Sequence, residues 1–123
     1  MARILTNGAG TVTLTVPVND VPTHMVTAVE QGYEWFDWEN VVYNADKDIV
    51  QATLRYPRDG DESDIVEMTF TDVDFLNGLQ KFLSKHPRGT TEVIYQGDGD
   101  WDIDANGADA IVQFAVYGEC IFS

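Results

Sequence analysis

The sequence predicts an α+β fold: one antiparallel sheet of about three to five strands with about three helices packed on it, in the order β-α-β-β-β-α-(β)-α. Three observations support it. Several segments alternate polar and apolar residues, or concentrate β-branched and aromatic residues, as strands do. Other segments carry apolar residues at helical spacing. Asn, Asp and Gly cluster between the strand segments, where hairpin turns are expected.

The first elements are a strand and a short helix. Residues 11–16 read TVTLTV and alternate with a period of two, which predicts a strand with one buried face. Asn19 and Asp20 are candidate caps for the helix that follows, and Gly32 stands where a left-handed residue often ends a helix. We therefore expect a helix over residues 21–31.

The middle of the chain predicts three strands. Residues 33–57 concentrate aromatic and β-branched residues around the turn-like stretch 44–48, which predicts two strands joined by a hairpin. Residues 64–70 predict a third strand, after a polar loop at 58–63. Because Asp and Gly are common turn residues, we interpret this loop as a connection and not as a calcium site.

The second helix has the clearest boundaries. Thr71 stands three residues before Asp74, which is capping-box spacing, and Pro87 ends the segment. Its apolar residues fall on one stripe: Phe75, Leu76, Leu79, Phe82 and Leu83. Residues 91–96 predict a short strand or an extended connection.

The third helix is predicted over residues 105–117, with Gly118 after its end. A strand is the alternative, because the segment is rich in β-branched and aromatic residues. Its residues are apolar nearly all round, so a helix here would pack in the core or against another subunit.

Five aspartates lie within residues 97–109. Asp102, Asp104 and Asn106 reproduce the first half of an EF-hand calcium loop, but the second half lacks the bidentate Glu at its twelfth position. A helix start is the stronger interpretation, with Asp102 or Asp104 as the cap and Asp109 facing solvent. Calcium binding stays the weaker alternative.

The composition predicts one domain over residues 1–123. This length, with 44% hydrophobic residues, suits a single core, and no repeat or linker is visible. No segment resembles a signal peptide, and no apolar run approaches the roughly 18 residues that would span a bilayer. The single cysteine, Cys120, cannot form an internal disulfide. We expect a soluble, cytoplasmic protein without membrane contact.

Charge is the most unusual bulk property. Twenty-one acidic residues face seven lysines and arginines, which gives a net charge of −14. Such a surface repels nucleic acid and anionic membranes, so direct DNA or RNA binding is not expected. The same field attracts a basic partner, and a decoy that imitates the charge of nucleic acid is one hypothesis. Acidity that serves only solubility is the alternative.

The aromatic stretch at residues 33–38 is a candidate interface. On a strand, Tyr33 and Trp35 would point to one face and Phe36 and Trp38 to the other, so some would be exposed unless helices cover both faces. Tryptophan and tyrosine edged with acids suit a protein interface. The candidate interface residues are Tyr33, Trp35, Trp38, Asp61, Glu62, Asp98 and Asp100.

Catalytic patterns are missing from the sequence. His24 and His86 are the only histidines, and both are interpreted as surface or capping residues. We find no nucleophile elbow, phosphate-binding loop, dinucleotide fingerprint or Cys/His metal spacing. We therefore expect no enzyme, no catalytic residue and no cofactor, calcium apart.

Three segments share a pattern with known proteins: residues 28–35, residues 78–80, and residues 104–119 with Ala105, Ala108, Gln113 and Gly118 at matching positions. In these segments the sequence resembles a family of small uncharacterised proteins encoded by tailed phages and prophages. The sequence departs from the family at Val29 and Gln31, where leucine and glycine are commoner, and in the aspartate run 98–102. The resemblance implies a viral origin and no assigned activity, so it supplies no catalytic residues.

Three functional hypotheses follow. The first is a phage accessory protein in the host cytoplasm that binds a protein with a basic surface, as an acidic decoy. The second is a structural or assembly protein that self-associates through surplus apolar helix surface. The third is a calcium-binding module.

Overall fold

The computed structural model describes residues 17–31 and 33–122, together with the backbone of residues 2–5 and 12–15. The helices are α1 (Val21–Glu30), α2 (Asp72–Lys85) and α3 (Ala105–Tyr117). The strands are β1 (Ala2–Leu5), β2 (Val12–Thr15), β3 (Asp37–Tyr43), β4 (Ile49–Arg58), β5 (Asp61–Thr71), β6 (Val93–Gly97) and β7 (Asp100–Ile103). The α+β class and all three predicted helices are confirmed, and the strand alternative for residues 105–117 is wrong.

The strands pair antiparallel in three groups: β1 with β2, β3 with β4 and β5, and β6 with β7. The predicted sheet corresponds to the three-stranded group, here called the central sheet. β1 and β7 were not predicted from the sequence, and they form separate hairpins with their neighbours. The strand predicted over residues 11–16 is β2, whose two flanking positions lie outside the described residues.

A tight turn joins β4 to β5, where a six-residue loop was expected. Arg58 pairs with Asp61, so only Asp59 and Gly60 connect the strands. Both have left-handed backbone angles, with φ of 51° and 81°. Such a turn favours Asp and Gly and matches the twist of a hairpin.

The central sheet has one buried and one open face. Leu54 in β4 lies opposite Trp38 in β3 and Met68 in β5, on the face that packs against the helices. Its neighbour Arg55 lies opposite Asp37 and Glu67 on the other face, where all three are exposed. Because side chains alternate along a strand, Asp37 and Glu67 share the open face with Arg55.

The strand expected at Tyr33 starts later, at Asp37. Residues 33–36 form a turn in which the Phe36 amide donates to the Tyr33 carbonyl at 3.2 Å. This turn breaks the alternation: Phe36 is buried, Trp35 donates a hydrogen bond to Asp109 in α3, and Trp38 packs against Phe70 in β5.

The structure confirms the predicted cap positions at Asp20, at Thr71 with Asp74, and at Asp104. Thr71 and Asp74 form the capping box of α2, and the Asp104 carboxylate accepts a hydrogen bond from the Gly107 amide at 2.8 Å at the start of α3. Asp20 is the N-cap residue of α1 and has a φ of 54°, but its side chain makes no capping bond. Gly32 lies outside the described residues.

α3 occupies the centre of the core. Ala108, Ile111, Val112 and Phe114 are buried, and the helix contacts α1, α2 and β7. The apolar surface that suggested a second subunit is therefore covered largely by the same chain.

On α2, Phe75, Leu79 and Phe82 are buried as predicted. Leu76, which the sequence placed on the same stripe, is 39% exposed and is not part of the buried face. None of the helices in the described part of the chain is long and apolar enough to cross a membrane.

Gly78 allows α2 and α3 to approach closely. A β-carbon at this position would overlap the Ile111 backbone oxygen and lie 2.9 Å from the Ala115 β-carbon. Backbone atoms of a packed helix cannot move aside as a flexible side chain can, so a methyl group here must push the helices apart.

We predict that Gly78→Ala lowers the free energy of unfolding by about 1–3 kcal/mol, although alanine is the better helix former. Asn77→Ala is the matched control, because Asn77 is exposed on the same helix and should change stability by less than about 0.5 kcal/mol. Urea denaturation of both variants measures the effect. Equal stability of Gly78→Ala and wild type would contradict the close approach.

Candidate functional site

The acidic candidates from the sequence lie at two separate ends of the central sheet. Asp98 lies in the β6–β7 turn and Asp100 begins β7. This turn packs beside the start of α1: the Asn19 amide donates to the Asp98 carbonyl at 2.9 Å and contacts the Asp100 carboxylate at 3.5 Å. Thr23, also in the first turn of α1, donates to Asp48 at the β3–β4 turn. We call this region the α1 end.

Asp61 and Glu62 lie at the other end, beside the β4–β5 turn. β4 runs from one turn to the other and has 10 residues, which corresponds to about 30 Å at the usual rise of a strand. The seven candidate interface residues therefore do not form one surface.

A cleft of about 350 Å³ opens at the β4–β5 end of the sheet. The turn before β3, the start of β3, the end of β4 and the start of β5 contribute its walls. Its lining residues are Glu34, Trp35, Asp37, Arg55, Tyr56, Pro57, Glu62 and Ile65. We call it the sheet-end cleft. Of the sequence candidates it contains Trp35 and Glu62, while Asp61 adjoins Glu62 at the same turn.

The carboxylates of the sheet-end cleft are in excess over its one cation. Arg55 already interacts with Glu39 at 3.4 Å and with Glu67 at 3.6 Å, both outside the lining. In the part of the chain that the structure describes, Glu34, Asp37 and Glu62 have no ion-pair partner. A concave surface with unpaired charges of one sign concentrates counter-charged groups. The cleft is therefore suited to a cation.

Trp35 forms an aromatic wall of the cleft and is fixed in place by other elements. Its ring stacks with Tyr33 at 5.7 Å and with Phe122 at 4.7 Å between centroids. Its indole N–H donates to the Asp109 carboxylate in α3 at 2.9 Å. The Tyr33 hydroxyl donates to the Asn106 side chain, also in α3. The wall therefore depends on α3 and on the segment after it.

Asp109 was expected to face solvent, and that expectation is wrong. The side chain is half-buried and accepts hydrogen bonds from Trp35 and from Gln113. Burial raises the pKa of the Asp109 carboxyl, and the two hydrogen bonds act in the opposite direction. Sequence periodicity cannot reveal this role, because its partner Trp35 lies 74 residues away along the chain.

Tyr117 at the end of α3 holds the sheet behind the cleft. Its hydroxyl donates to the Pro57 carbonyl at 2.6 Å, and its ring meets Tyr56 edge to face. Burial is the main cause that raises the pKa of Tyr117 to about 12. The end of β4 is thereby attached to α3.

Trp38, also a candidate interface residue, lies on the buried side of the sheet. Its ring meets Phe70 edge to face at 5.4 Å, and its indole N–H is buried without a hydrogen-bond partner. Trp38 therefore contributes to the core and does not line the cleft.

The calcium candidates have other roles in the structure. Asp102 is part of β7 and pairs with Ile94, Asp104 caps α3, and Asn106 accepts from Tyr33. Within the described residues, no three His, Cys, Asp or Glu side chains are grouped as a metal site would require. The half-motif is a strand end followed by a helix cap.

Sequence reasoning did not identify Glu34, Asp37 or Tyr56 as site residues. Asp37 and Arg55 are brought together by strand register, and Glu34 by the turn that replaces the expected strand. The acid-rich and aromatic composition of residues 33–38 was the only indication that the sequence offered.

His24 provides a pH test of the α1 end. Burial lowers the pKa of His24 below its ordinary value of 6.5, while the nearby Asp20 and Asp102 carboxylates act in the opposite direction. As the pH falls through 6.5, the unfolded chain takes up this proton before the folded protein does. Protonation therefore favours unfolding, and the stability that neutral His24 allows above pH 6.5 is lost as the pH falls through its folded pKa.

We predict that wild type loses more stability than His24→Gln when the pH is lowered from about 7.5 to about 5.5. Urea denaturation of both proteins at the two pH values measures the difference, and all other titrating groups are shared. Parallel pH dependence of the two proteins would show that the pKa of His24 is not lowered.

Comparisons with protein-family models, with curated proteins and with solved structures find no match to this chain. The resemblance to phage and prophage proteins stays a prediction from sequence.

Proposed function

We propose that this protein acts by binding a partner protein with a basic surface, and that the sheet-end cleft receives a cationic side chain of that partner. One observation carries the proposal. Glu34, Asp37 and Glu62 line a concave site beside Trp35, and in the described chain none of the three has an ion pair.

An arginine side chain of the partner fits this chemistry best. Its planar guanidinium donates several hydrogen bonds in a fixed geometry and binds carboxylates in pairs. The aliphatic part of the side chain would contact the apolar lining at Pro57 and Ile65. Arginine and aromatic residues are also the usual anchors at the centre of protein interfaces.

The net negative charge of the whole molecule favours encounter with such a partner. The net charge of −14 creates a field that speeds the approach of a basic protein at low salt. The open face of the central sheet adjoins the cleft and carries exposed acids and the apolar side chains of Val42 and Ile65. This face is a suitable rim for an interface.

In the cell, such a protein would act as an acidic decoy. A partner that normally binds nucleic acid has the basic surface that this chain would occupy, and a phage-encoded protein would meet such a partner in the cytoplasm of the host. Support for the viral part is the sequence resemblance alone, and support for the decoy is the charge and the cleft.

The other two hypotheses gain no specific support. The apolar surface of α3, which suggested self-association, is used for packing against α1, α2 and β7. The residues that suggested calcium form a strand end, a helix cap and a side-chain hydrogen bond. An oligomer that persists at high salt would support self-association, and a calcium-dependent rise in stability would support calcium binding.

We predict that Glu34→Gln/Glu62→Gln weakens binding to a short arginine-rich peptide about tenfold or more, because carboxylates that pair with the ligand are lost. Asp98→Asn/Asp100→Asn is the matched control. It also removes two negative charges, but at the α1 end, and it should weaken binding less than about threefold. Isothermal titration at low salt measures both affinities.

A pull-down from host lysate with the same three proteins extends the test to a natural partner. A basic protein retained by wild type and by the α1-end variant, but lost with the cleft variant and at high salt, agrees with the proposal. Equal weakening by both double variants would mean that only overall charge matters, and the cleft would not be the binding site.

A further inference from the structure

The wall of the sheet-end cleft that carries Glu34 and Trp35 is not part of the sheet. Residues 33–36 form a turn before β3, so the ladder hydrogen bonds of β3 do not fix them. Their position is set by Phe36, which is buried, and by side-chain contacts of Tyr33 and Trp35 with other elements. The shape of the cleft therefore depends on what holds Trp35.

Gln113 holds the chain that follows α3. Its amide oxygen accepts hydrogen bonds from the backbone amides of Ile121 at 2.8 Å and Phe122 at 2.9 Å. Its amide nitrogen donates to the Phe122 carbonyl at 3.2 Å and to the Asp109 carboxylate at 2.9 Å. An amide side chain has two donors and two acceptor positions, and all four are used here.

The two residues that Gln113 binds, Phe122 and Asp109, both contact Trp35. Phe122, held through its backbone, stacks on the Trp35 ring with an angle of 6° between the planes. Asp109, held through its carboxylate, accepts the Trp35 indole N–H. The ring and the polar atom of Trp35 are thus both positioned by groups that Gln113 binds.

Packing alone does not explain why a glutamine occupies this buried position. It is 1% exposed and is the one buried polar side chain in the described part of the chain, on a helix whose other buried residues are apolar or glycine. A buried amide costs free energy unless it is fully hydrogen-bonded, and leucine would fill similar space without that cost. A fully satisfied network rigidifies the groups that it joins.

We infer that Gln113 is a positioning residue for the sheet-end cleft, which acts by holding Phe122 and Asp109 against Trp35. The inference rests on the proposed function for its effect on binding. Its structural part, that residues 121–122 fix the Trp35 ring, stands on the contacts alone. The wall residue Trp35 is thus held in place by residues 109, 113 and 122, which lie behind it and are far from it in sequence.

The experiment tests the stacking of Phe122 on Trp35 separately from the stability of the fold. Phe122→Ala removes the ring and keeps the backbone bonds to Gln113, and Phe122→Tyr keeps the ring. The chain has three tryptophans, so three indole N–H signals are expected in a two-dimensional ¹H–¹⁵N spectrum, and Trp35→Phe assigns the signal of Trp35. Gln113→Leu is the second variant, and it removes the network at its centre.

We predict that Phe122→Ala shifts the Trp35 indole signal, leaves those of Trp38 and Trp101 in place, and weakens binding of the arginine-rich peptide about fivefold. Phe122→Tyr should match wild type in both measurements. Gln113→Leu should shift the same signal and weaken binding at least as much. Thermal unfolding of each variant confirms that the compared proteins are folded.

Failure of this inference and failure of the proposed function give different results. An unmoved Trp35 signal in folded Phe122→Ala would overturn the positioning role, whatever the affinity. A moved signal with unchanged affinity, while Glu34→Gln/Glu62→Gln weakens binding, would overturn the role of the network in the cleft. If the cleft variant also leaves the peptide affinity unchanged, the proposed function fails, and a moved signal would still support the attachment of Trp35.

Discussion

Burial of α3 is the constraint on which the rest of the structure depends. Its residues are apolar nearly all round, so the helix must be covered on several sides, and α1, α2 and β7 each contact it. Gly78 lets α2 lie close to one side of it. The chain beyond Gly118 turns back across another side, where Gln113 binds it. The turn that forms the cleft wall is attached to this same helix, so the candidate site follows from the packing of the core.

The electrostatics of the molecule reflect where its few cations are placed. Arg55 and Arg58 interact with Glu39, Glu67 and Asp64 on the strands of the central sheet. These ion pairs are exposed, so each stabilises the fold only slightly. Their larger effect is on the surface potential, because arginines already paired on the sheet do not neutralise the acids of the turns and of the cleft.

Local sequence patterns predicted the elements whose determinants are local. The boundaries of α2 follow from the Thr71–Asp74 capping box and from Pro87, and the end of α3 from Gly118 with its φ of 78°. The Asp-Gly pairs 59–60 and 98–99 are the residues of two-residue hairpin turns. Reading the first of these as part of a longer loop shortened β5 by three residues, and overlooking the second concealed β7.

The candidate site could be predicted only in part, because its contacts join distant residues. Trp35 and Glu62 were identified by residue type, but nothing local brings them to one cleft or separates them from Asp98 and Asp100. The turn at residues 33–36 replaced a strand because burial of Phe36 and the bond from Trp35 to Asp109 outweigh the β propensity of the aromatic residues. Asp109 and Gln113 belong to a helix with no local sign of their partners.

The order of the central sheet places β5 at an edge, with four acidic side chains along 11 residues. An edge strand exposes backbone donors and acceptors that can pair with the same strand of another copy, which is a common route to aggregation. Two copies of β5 approaching each other would bring Asp61, Glu62, Asp64 and Glu67 against like charges. The acids that we propose attract a basic partner would therefore also oppose the addition of strands from another copy, and dissolved salt would weaken both effects together.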